Sequence, residues 1–137
     1  GDNCFADSCY MFTKAGKTWP ENQDSCTDKG GHLVSIETEE EWKFLSGKIK
    51  TLSPLGVNEW HIGLRNGGLQ WIWVNGKPLT IGKWQTNEPS GDGKVVVMSK
   101  ATGLFSDVPD NSRKAYICEI PLGKKNNLQL NPKSLKE

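Results

Sequence analysis

The residues of this chain best suited to covalent or acid–base chemistry are four cysteines, Cys4, Cys9, Cys26 and Cys118, and two histidines, His32 and His61. No Cys-x2-Cys pair occurs and only two imidazoles accompany the thiols, so a zinc site is poorly supported. An even set of cysteines without metal spacing reads as disulfides. Of the three pairings that four cysteines allow, the local one joins Cys4 to Cys9 and leaves Cys26 to reach Cys118 across most of the chain. On the chain-entropy model a loop of that length is stabilised by roughly 4 to 5 kcal/mol. Such bridges imply an oxidising compartment; four buried reduced thiols are the alternative.

Nucleophilic catalysis needs a base within hydrogen-bond reach of a serine, cysteine or threonine. His32 stands beside a helix end and His61 inside a strand, positions that suit structural roles. Glu88 and Asp107 could form the carboxylate pair that glycoside hydrolysis uses, but no cleft signal accompanies them. The chain therefore reads as non-enzymatic. Arg113 and Lys114, with the lysines of the tail, could meet sulphated glycans or acidic proteins, although solvated surface charge explains them more simply.

These residues must be positioned by one domain, the expectation for 137 residues. Seventeen basic against 16 acidic side chains give a net charge of +1. That balance supplies no field for nucleic acid or an anionic membrane. No apolar run approaches the roughly 18 residues of a membrane span, and the polar opening is no signal peptide, so any targeting segment is expected to lie outside this sequence. Six tryptophans and 15 glycines suggest a loop-rich β structure with an aromatic core.

Residues 9–13 read as a first strand. Thr18 and Glu21 form a capping box, with Pro20 tolerated in the first turn, and the helix they open runs through Cys26 to stop at Gly30-Gly31. A second box, Thr38 with Glu41, opens a helix whose apolar face carries Trp42, Leu45 and Ile49. Lys48 and Lys50 complement its negative end, and Ser53-Pro54 stops it. Glu39, Glu40 and Glu41 read as surface charge favourable to the helix dipole. Strands follow at 60–64, at 70–74 before the turn pair Asn75-Gly76, at 95–98 and at 114–118. The polar 79–94 segment is too long for a simple hairpin connection, and such loops are usually functional or disordered. Residues 1–122 form the expected domain, and 123–137, without periodicity, reads as a linker or tail. There is no internal repeat and no Asn-x-Ser/Thr acceptor.

Several stations follow one another in a telling order: Trp19 and Cys26, Gly31-His-Leu-Val-Ser-Ile36, His61-Ile-Gly-Leu64, Trp71-Ile-Trp73 with Asn75-Gly76, Lys83-Trp84, Glu88-Pro89-Ser90, Phe105-Ser106-Asp107 and Tyr116-Ile-Cys118-Glu119. The ordered set resembles the C-type lectin-like domain family from about Cys4 to Glu119. The resemblance implies an α+β double-loop fold with two helices, two small antiparallel sheets and a long irregular loop held by aromatics. Trp19, Trp42, Trp71 and Trp73 would then be structural. His61 stands where the family places tryptophan. A second disulfide usual in the family would join the positions of Val95 and Asp110; both cysteines are gone together, which leaves the ligand-side loop less constrained.

Calcium-dependent members of the family hold sugar through a bound Ca2+, a cation that needs six to eight oxygens. Residue by residue, the Glu-Pro-Asn triplet becomes Glu88-Pro89-Ser90, with Pro89 at the family's cis proline, and Trp-Asn-Asp becomes Phe105-Ser106-Asp107. The remaining acidic ligand falls on Gly93 or Lys94. Hydroxyls thus replace two amides and one carboxylate is missing, with Asp92 near enough in sequence to substitute. The resemblance implies a ligand-binding set of Glu88, Pro89, Ser90, Asp92, Ser106 and Asp107, and a weak Ca2+ site at Glu88, Ser90, Asp92, Ser106 and Asp107. The function implied is non-catalytic extracellular recognition of a glycan or protein, secreted or as the ectodomain of a membrane protein, with calcium weakened or absent. The alternative is a calcium-dependent carbohydrate-binding lectin using the Glu88-Pro89-Ser90 loop. Neither reading involves nucleic acid or membrane contact by this segment.

Overall fold

The structure, a computed structural model, describes residues 3–52 and 56–123. The expected helix stop at Ser53-Pro54 and the tail beyond Gly123 lie outside those residues. In chain order the elements are β1 (Cys4–Phe5), β2 (Ser8–Thr13), α1 (Trp19–Asp28), β3 (His32–Leu33), α2 (Glu39–Leu52), β4 (Glu59–Asn66), β5 (Trp71–Trp73), β6 (Val95–Ser99), β7 (Phe105–Val108) and β8 (Ala115–Pro121).

Both helices start where their capping residues dictate. At α1 the Glu21 carboxylate reaches back to accept from the Thr18 N–H at 3.2 Å and the Thr18 hydroxyl at 2.9 Å. The helix gives way at Lys29, and Gly30 adopts φ +88°, a conformation that costs glycine little. At α2 the Thr38 hydroxyl accepts from the Glu41 N–H at 3.0 Å. Here the box is only half closed, and one expectation is corrected.

Glu41 is not surface charge. It shares the inward face with Leu45 and Ile49 at four-residue spacing and is buried. Its carboxylate accepts from the Glu37 N–H at 2.9 Å and from the Tyr10 hydroxyl at 2.7 Å. Burial pushes Glu41 above the usual carboxylate range. Burial, followed by the bond to Glu41, raises the Tyr10 hydroxyl as well.

The α+β class holds, with the strands linked more closely than two small antiparallel sheets. They run in the order β1-β2-β8-β4-β6-β7, with β3 added to β8 and β5 to β4. A short parallel pairing, Trp60 with Ala115 and His61 with Tyr116, joins β4 to β8 and makes the ladder one eight-stranded mixed sheet. The other pairings between these strands are antiparallel.

Leu45, Trp60, Ile62, Trp73, Phe105 and Ile117 are among the core residues. Trp19 ties α1 to β4 and Trp42 ties α2 to the turn before β7, donating their indole N–H to the Ile62 and Gly103 carbonyls, each at 2.8 Å. Gly63 is required where β4 crosses β3: a Cβ there would lie 2.5 Å from the Leu33 carbonyl oxygen.

Cys4 is joined to Cys9 and Cys26 to Cys118, the latter closing a sequence separation of 92. His61, wholly buried, stands 2.9 Å from the Asn22 amide nitrogen through Nδ1. The Asn22 amide is oriented by the Lys17 N–H, which donates to its oxygen at 3.0 Å, and by the Lys17 and Lys114 carbonyls, which accept from its nitrogen. His61 Nδ1 is therefore an acceptor, and the ring is the neutral Nε2–H tautomer. Burial first, then the nearby Lys114 charge, lowers its pKa to about 4.

Candidate functional site

The site is built on the paired strands β6 and β7, in the register Val95 with Val108, Val96 with Asp107, Val97 with Ser106 and Met98 with Phe105. Side chains alternate along a strand, so Asp107 shares the inward face of β7 with Phe105, and the two are 3% and 0% exposed. A buried carboxylate must find donors. Those of Asp107 come from the loop that precedes β6.

The Asp107 Oδ1 accepts from the Ser90 N–H at 2.7 Å and the Ser90 hydroxyl at 3.1 Å. Oδ2 accepts from the Gly91 N–H at 2.9 Å and the Gly93 N–H at 3.1 Å. An ionised carboxylate offers about four acceptor positions, and the loop occupies that many. The path of the loop makes this geometry available: Gly91 takes φ +89° and Asn87 takes φ +69°, while Glu88-Pro89 is the cis peptide expected at Pro89. Gln85 and Glu88 close a turn through the Glu88 N–H to Gln85 carbonyl bond at 2.9 Å.

Glu88 lies at the edge of this knot, its Oε1 accepting from the Ser90 N–H at 3.2 Å and the Asp107 N–H at 3.4 Å. Contact with the Asp107 carboxyl, and then desolvation, hold Glu88 above its ordinary value. Burial acts to raise Asp107 too, but the Glu88 carboxyl and the Ser90 and Gly93 donors outweigh it and bring Asp107 to about 2.

The structure thus brings Glu88, Ser90 and Asp107 together. Ser106 is turned to Gln85, whose amide donates to its hydroxyl at 2.7 Å. Asp92 does not join them: it is exposed, and at this cluster it is its backbone N–H that bonds, donating to the Ser90 hydroxyl at 3.3 Å. At Gly93 a side chain has no room, because a Cβ would collide with the Val108 backbone carbonyl. Among the described residues, no three or more His, Cys, Asp or Glu side chains are grouped to hold a metal ion. Sequence reasoning missed Gln85 and Gly91, and met Gly93 only as the place of an absent acidic ligand. The last two act through backbone N–H groups, which residue type does not announce; only the glycine-rich texture of 90–93 hints at them.

Beside the knot lies a groove of about 610 Å3 between the end of the β4–β5 hairpin, at Asn66 and Trp71, and the 89–94 loop. A second cavity, of about 500 Å3, includes Lys14, Glu59, Arg113 and Lys114 in its lining. Two of its cations are paired, Lys114 with Glu59 at 2.6 Å and Arg113 with Glu21 at 4.0 Å, which leaves little surplus charge for an acidic ligand.

An α+β domain with two helices among the described residues, a long loop beside a β-ribbon and a long-range disulfide has the architecture of a lectin-type recognition fold. The family model described as the lectin C-type domain matches residues 15–120, and the chain belongs to that family. Human C-type lectin domain family 4 member D is 34% identical over 126 residues, 85% of this chain and 56% of that protein. The human low affinity immunoglobulin epsilon Fc receptor is 36% identical over 120 residues, 84% of this chain and 36% of the receptor. The chain therefore spans about half, or less, of the length of these relatives. Among solved structures, human lithostathine superposes with a TM-score of 0.80 at 26% identity, covering 87% of each chain. The cow carbohydrate-recognition domain of CD23, solved in the presence of a GlcNAc2Man3 oligosaccharide, gives 0.74 at 29% identity, over 85% of this chain and 90% of that one. Among the described residues, no helix is long and apolar enough to cross a membrane.

Proposed function

We propose that this domain is a non-catalytic extracellular recognition module that engages a glycan or protein ligand through the 79–94 loop and the β6–β7 surface without requiring calcium. The observation that carries this reading is the Asp107 carboxylate, whose acceptor positions are taken up by Ser90, Gly91 and Gly93. A calcium ion at the family position would have to displace those donors. It would gain only the neutral hydroxyls of Ser90 and Ser106, a Glu88 already engaged with the loop, and no side chain at Gly93. This donor set does not fit a cation that demands six to eight oxygens. Membership of the family and the two disulfides support an extracellular setting. Non-catalysis is supported by the histidines: His61 is buried against Asn22, and His32 donates through Nδ1 to the Leu33 carbonyl at 2.7 Å.

The test is calorimetric titration of metal-free protein with Ca2+, together with its melting temperature at millimolar ion. A ligand that binds only the native state must raise stability, so the expected result is no heat of binding and an unchanged melting temperature. A saturable heat with a rise in melting temperature would establish the second reading, a calcium-dependent lectin holding the ion with Glu88, Ser90, Asp92, Ser106 and Asp107.

A further inference from the structure

We infer that Asn66 is a spontaneous modification site, an asparagine that loses its side-chain amide to attack by the Gly67 nitrogen, whereas the chain's other Asn-Gly pair, Asn75-Gly76, is guarded against the same reaction by Glu37. The product places a new carboxylate, and in its isoaspartate form a lengthened main chain, at the tie between β4 and the 89–94 loop. The inference is independent of what that loop binds.

Asparagine precedes glycine at 66–67 and at 75–76, and all four residues are exposed. A glycine nitrogen carries no neighbouring Cβ, so its chain can fold back onto the preceding side chain. In the reaction the Gly67 nitrogen gives its proton to solvent base and bonds to Asn66 Cγ. The Cγ–Nδ2 bond then breaks, and Nδ2 takes a proton from water and leaves as ammonia. One water opens the resulting cyclic imide, at Cγ to give aspartate or at the main-chain carbonyl carbon to give isoaspartate. Asparagine and water thus become an acid and ammonia, with no other reactant.

Hydrogen bonds separate the two pairs. The nucleophiles are alike: the Gly67 N–H donates to the Gln70 carbonyl and the Gly76 N–H to the Trp73 carbonyl, each at 2.8 Å. The electrophiles are alike too, with Asn66 Oδ1 accepting from the Gly68 N–H at 2.8 Å and Asn75 Oδ1 from the Lys77 N–H at 3.1 Å. Those donors stand where the oxygen gains charge during attack. The difference lies at the leaving nitrogen. Asn75 Nδ2 donates to Glu37 Oε2 at 2.9 Å, and the other Glu37 oxygen is held by Lys77 at 3.3 Å. Turning the Asn75 side chain onto Gly76 therefore breaks a bond to a charged acceptor, one of the stronger kind. Among the described residues, Asn66 Nδ2 has no such partner.

The place of Asn66 gives the modification its effect. It ends β4 opposite Trp71, and its N–H donates to the Lys94 carbonyl at 2.8 Å, the bond that ties the hairpin to the end of the 89–94 loop. Isoaspartate inserts one more carbon into the main chain between that N–H and Gly67, which shifts the hairpin against the loop. The new carboxylate also cancels the single positive charge by which the chain exceeds neutrality.

The experiment ages the full chain in mildly alkaline buffer at body temperature, folded and, in parallel, reduced in denaturant. Both asparagines fall in one tryptic peptide, because Lys77 precedes Pro78, so mass-spectrometric fragmentation locates the product and isoaspartyl methyltransferase labelling identifies isoaspartate. In denaturant the two sites should convert at comparable rates. In the folded protein Asn66 should convert faster than Asn75 by about ten-fold or more, the factor in rate that one charge-assisted hydrogen bond supplies. Glu37→Ala should raise the Asn75 rate by about the same factor and leave Asn66 unchanged, with an equal melting temperature to confirm its fold. In the isoaspartate form, hydrogen exchange at the residue 66 amide should quicken. Equal rates at the two sites of the folded protein, or a silent Asn66 while the unfolded chain reacts, overturn the modification site. An Asn75 rate that ignores Glu37→Ala overturns the guard, and unaltered exchange at residue 66 overturns the effect on the loop tie.

Discussion

Asp107 holds Ser90 twice, accepting from its backbone N–H at 2.7 Å and from its hydroxyl at 3.1 Å. The carboxylate of a strand residue thereby anchors a loop 17 residues earlier in the chain, just before the start of β6, where the expected family disulfide is missing.

Substituting Asp107→Asn tests that anchor. The amide preserves shape but turns one acceptor oxygen into a donor that faces N–H groups of the loop. A buried donor left without a partner costs about 1 to 3 kcal/mol, and the expected result is a loss of that size in denaturant unfolding. Faster hydrogen exchange at Ser90, Gly91 and Gly93 should accompany it, with exchange in α2 unaltered. Unchanged protection at those three amides would contradict the anchoring role.

The Tyr10–Glu41 pair supports a second prediction. Tyr10→Phe removes the hydroxyl that donates to Glu41 at 2.7 Å and leaves a buried carboxylate one donor short. We expect a destabilisation of about 1 to 2 kcal/mol, read as a lower denaturant midpoint at constant slope. A neutral effect would mean that Glu41 reaches water.

His61 supplies the third prediction, in pH. Its folded-state pKa, about 4, lies below the value of about 6.5 in an unfolded chain. Between these values the unfolded state binds the proton more readily, so stability is full above about pH 6.5, falls as pH drops and levels off below about pH 4. The span corresponds to a loss on the order of 3 kcal/mol. Glu41, raised in the folded state, contributes with opposite sign near the lower end of the window. The measurement is therefore the difference between the parent protein and His61→Phe, which should lose the slope. Identical pH profiles for the two proteins would refute the assignment.

What the sequence made legible is what short-range patterns encode. Thr18 with Glu21 and Thr38 with Glu41 announced both helix starts, and the local spacing of Cys4 and Cys9 settled both disulfides. Glu41 was misread because its four-residue spacing to Leu45 and Ile49 was overridden by its place in an acidic run of the first turn. Residues 105–107, singled out for metal chemistry, are also strand β7, whose alternation sends Asp107 inward. The parallel contact of β4 with β8 was not legible, since neither strand carries a mark of its partner. The loop amides that bind Asp107 come from a backbone common to every residue, and only a folded chain aims them.

The Cys26–Cys118 bridge also decides how the domain carries tension. Antiparallel β2 and β8 start and end side by side, Ser8 opposite Pro121, so a pull on the two ends of the domain unzips this ladder from its open end. Once the strand residues outside the bridge have peeled away, force passes through the sulfur atoms and bypasses everything between them. The 79–94 loop and its strands lie inside that shielded stretch. In an optical trap the oxidised domain should lengthen only by the residues outside both bridges, and the segments enclosed by Cys26–Cys118 and by Cys4–Cys9 should extend only after reduction.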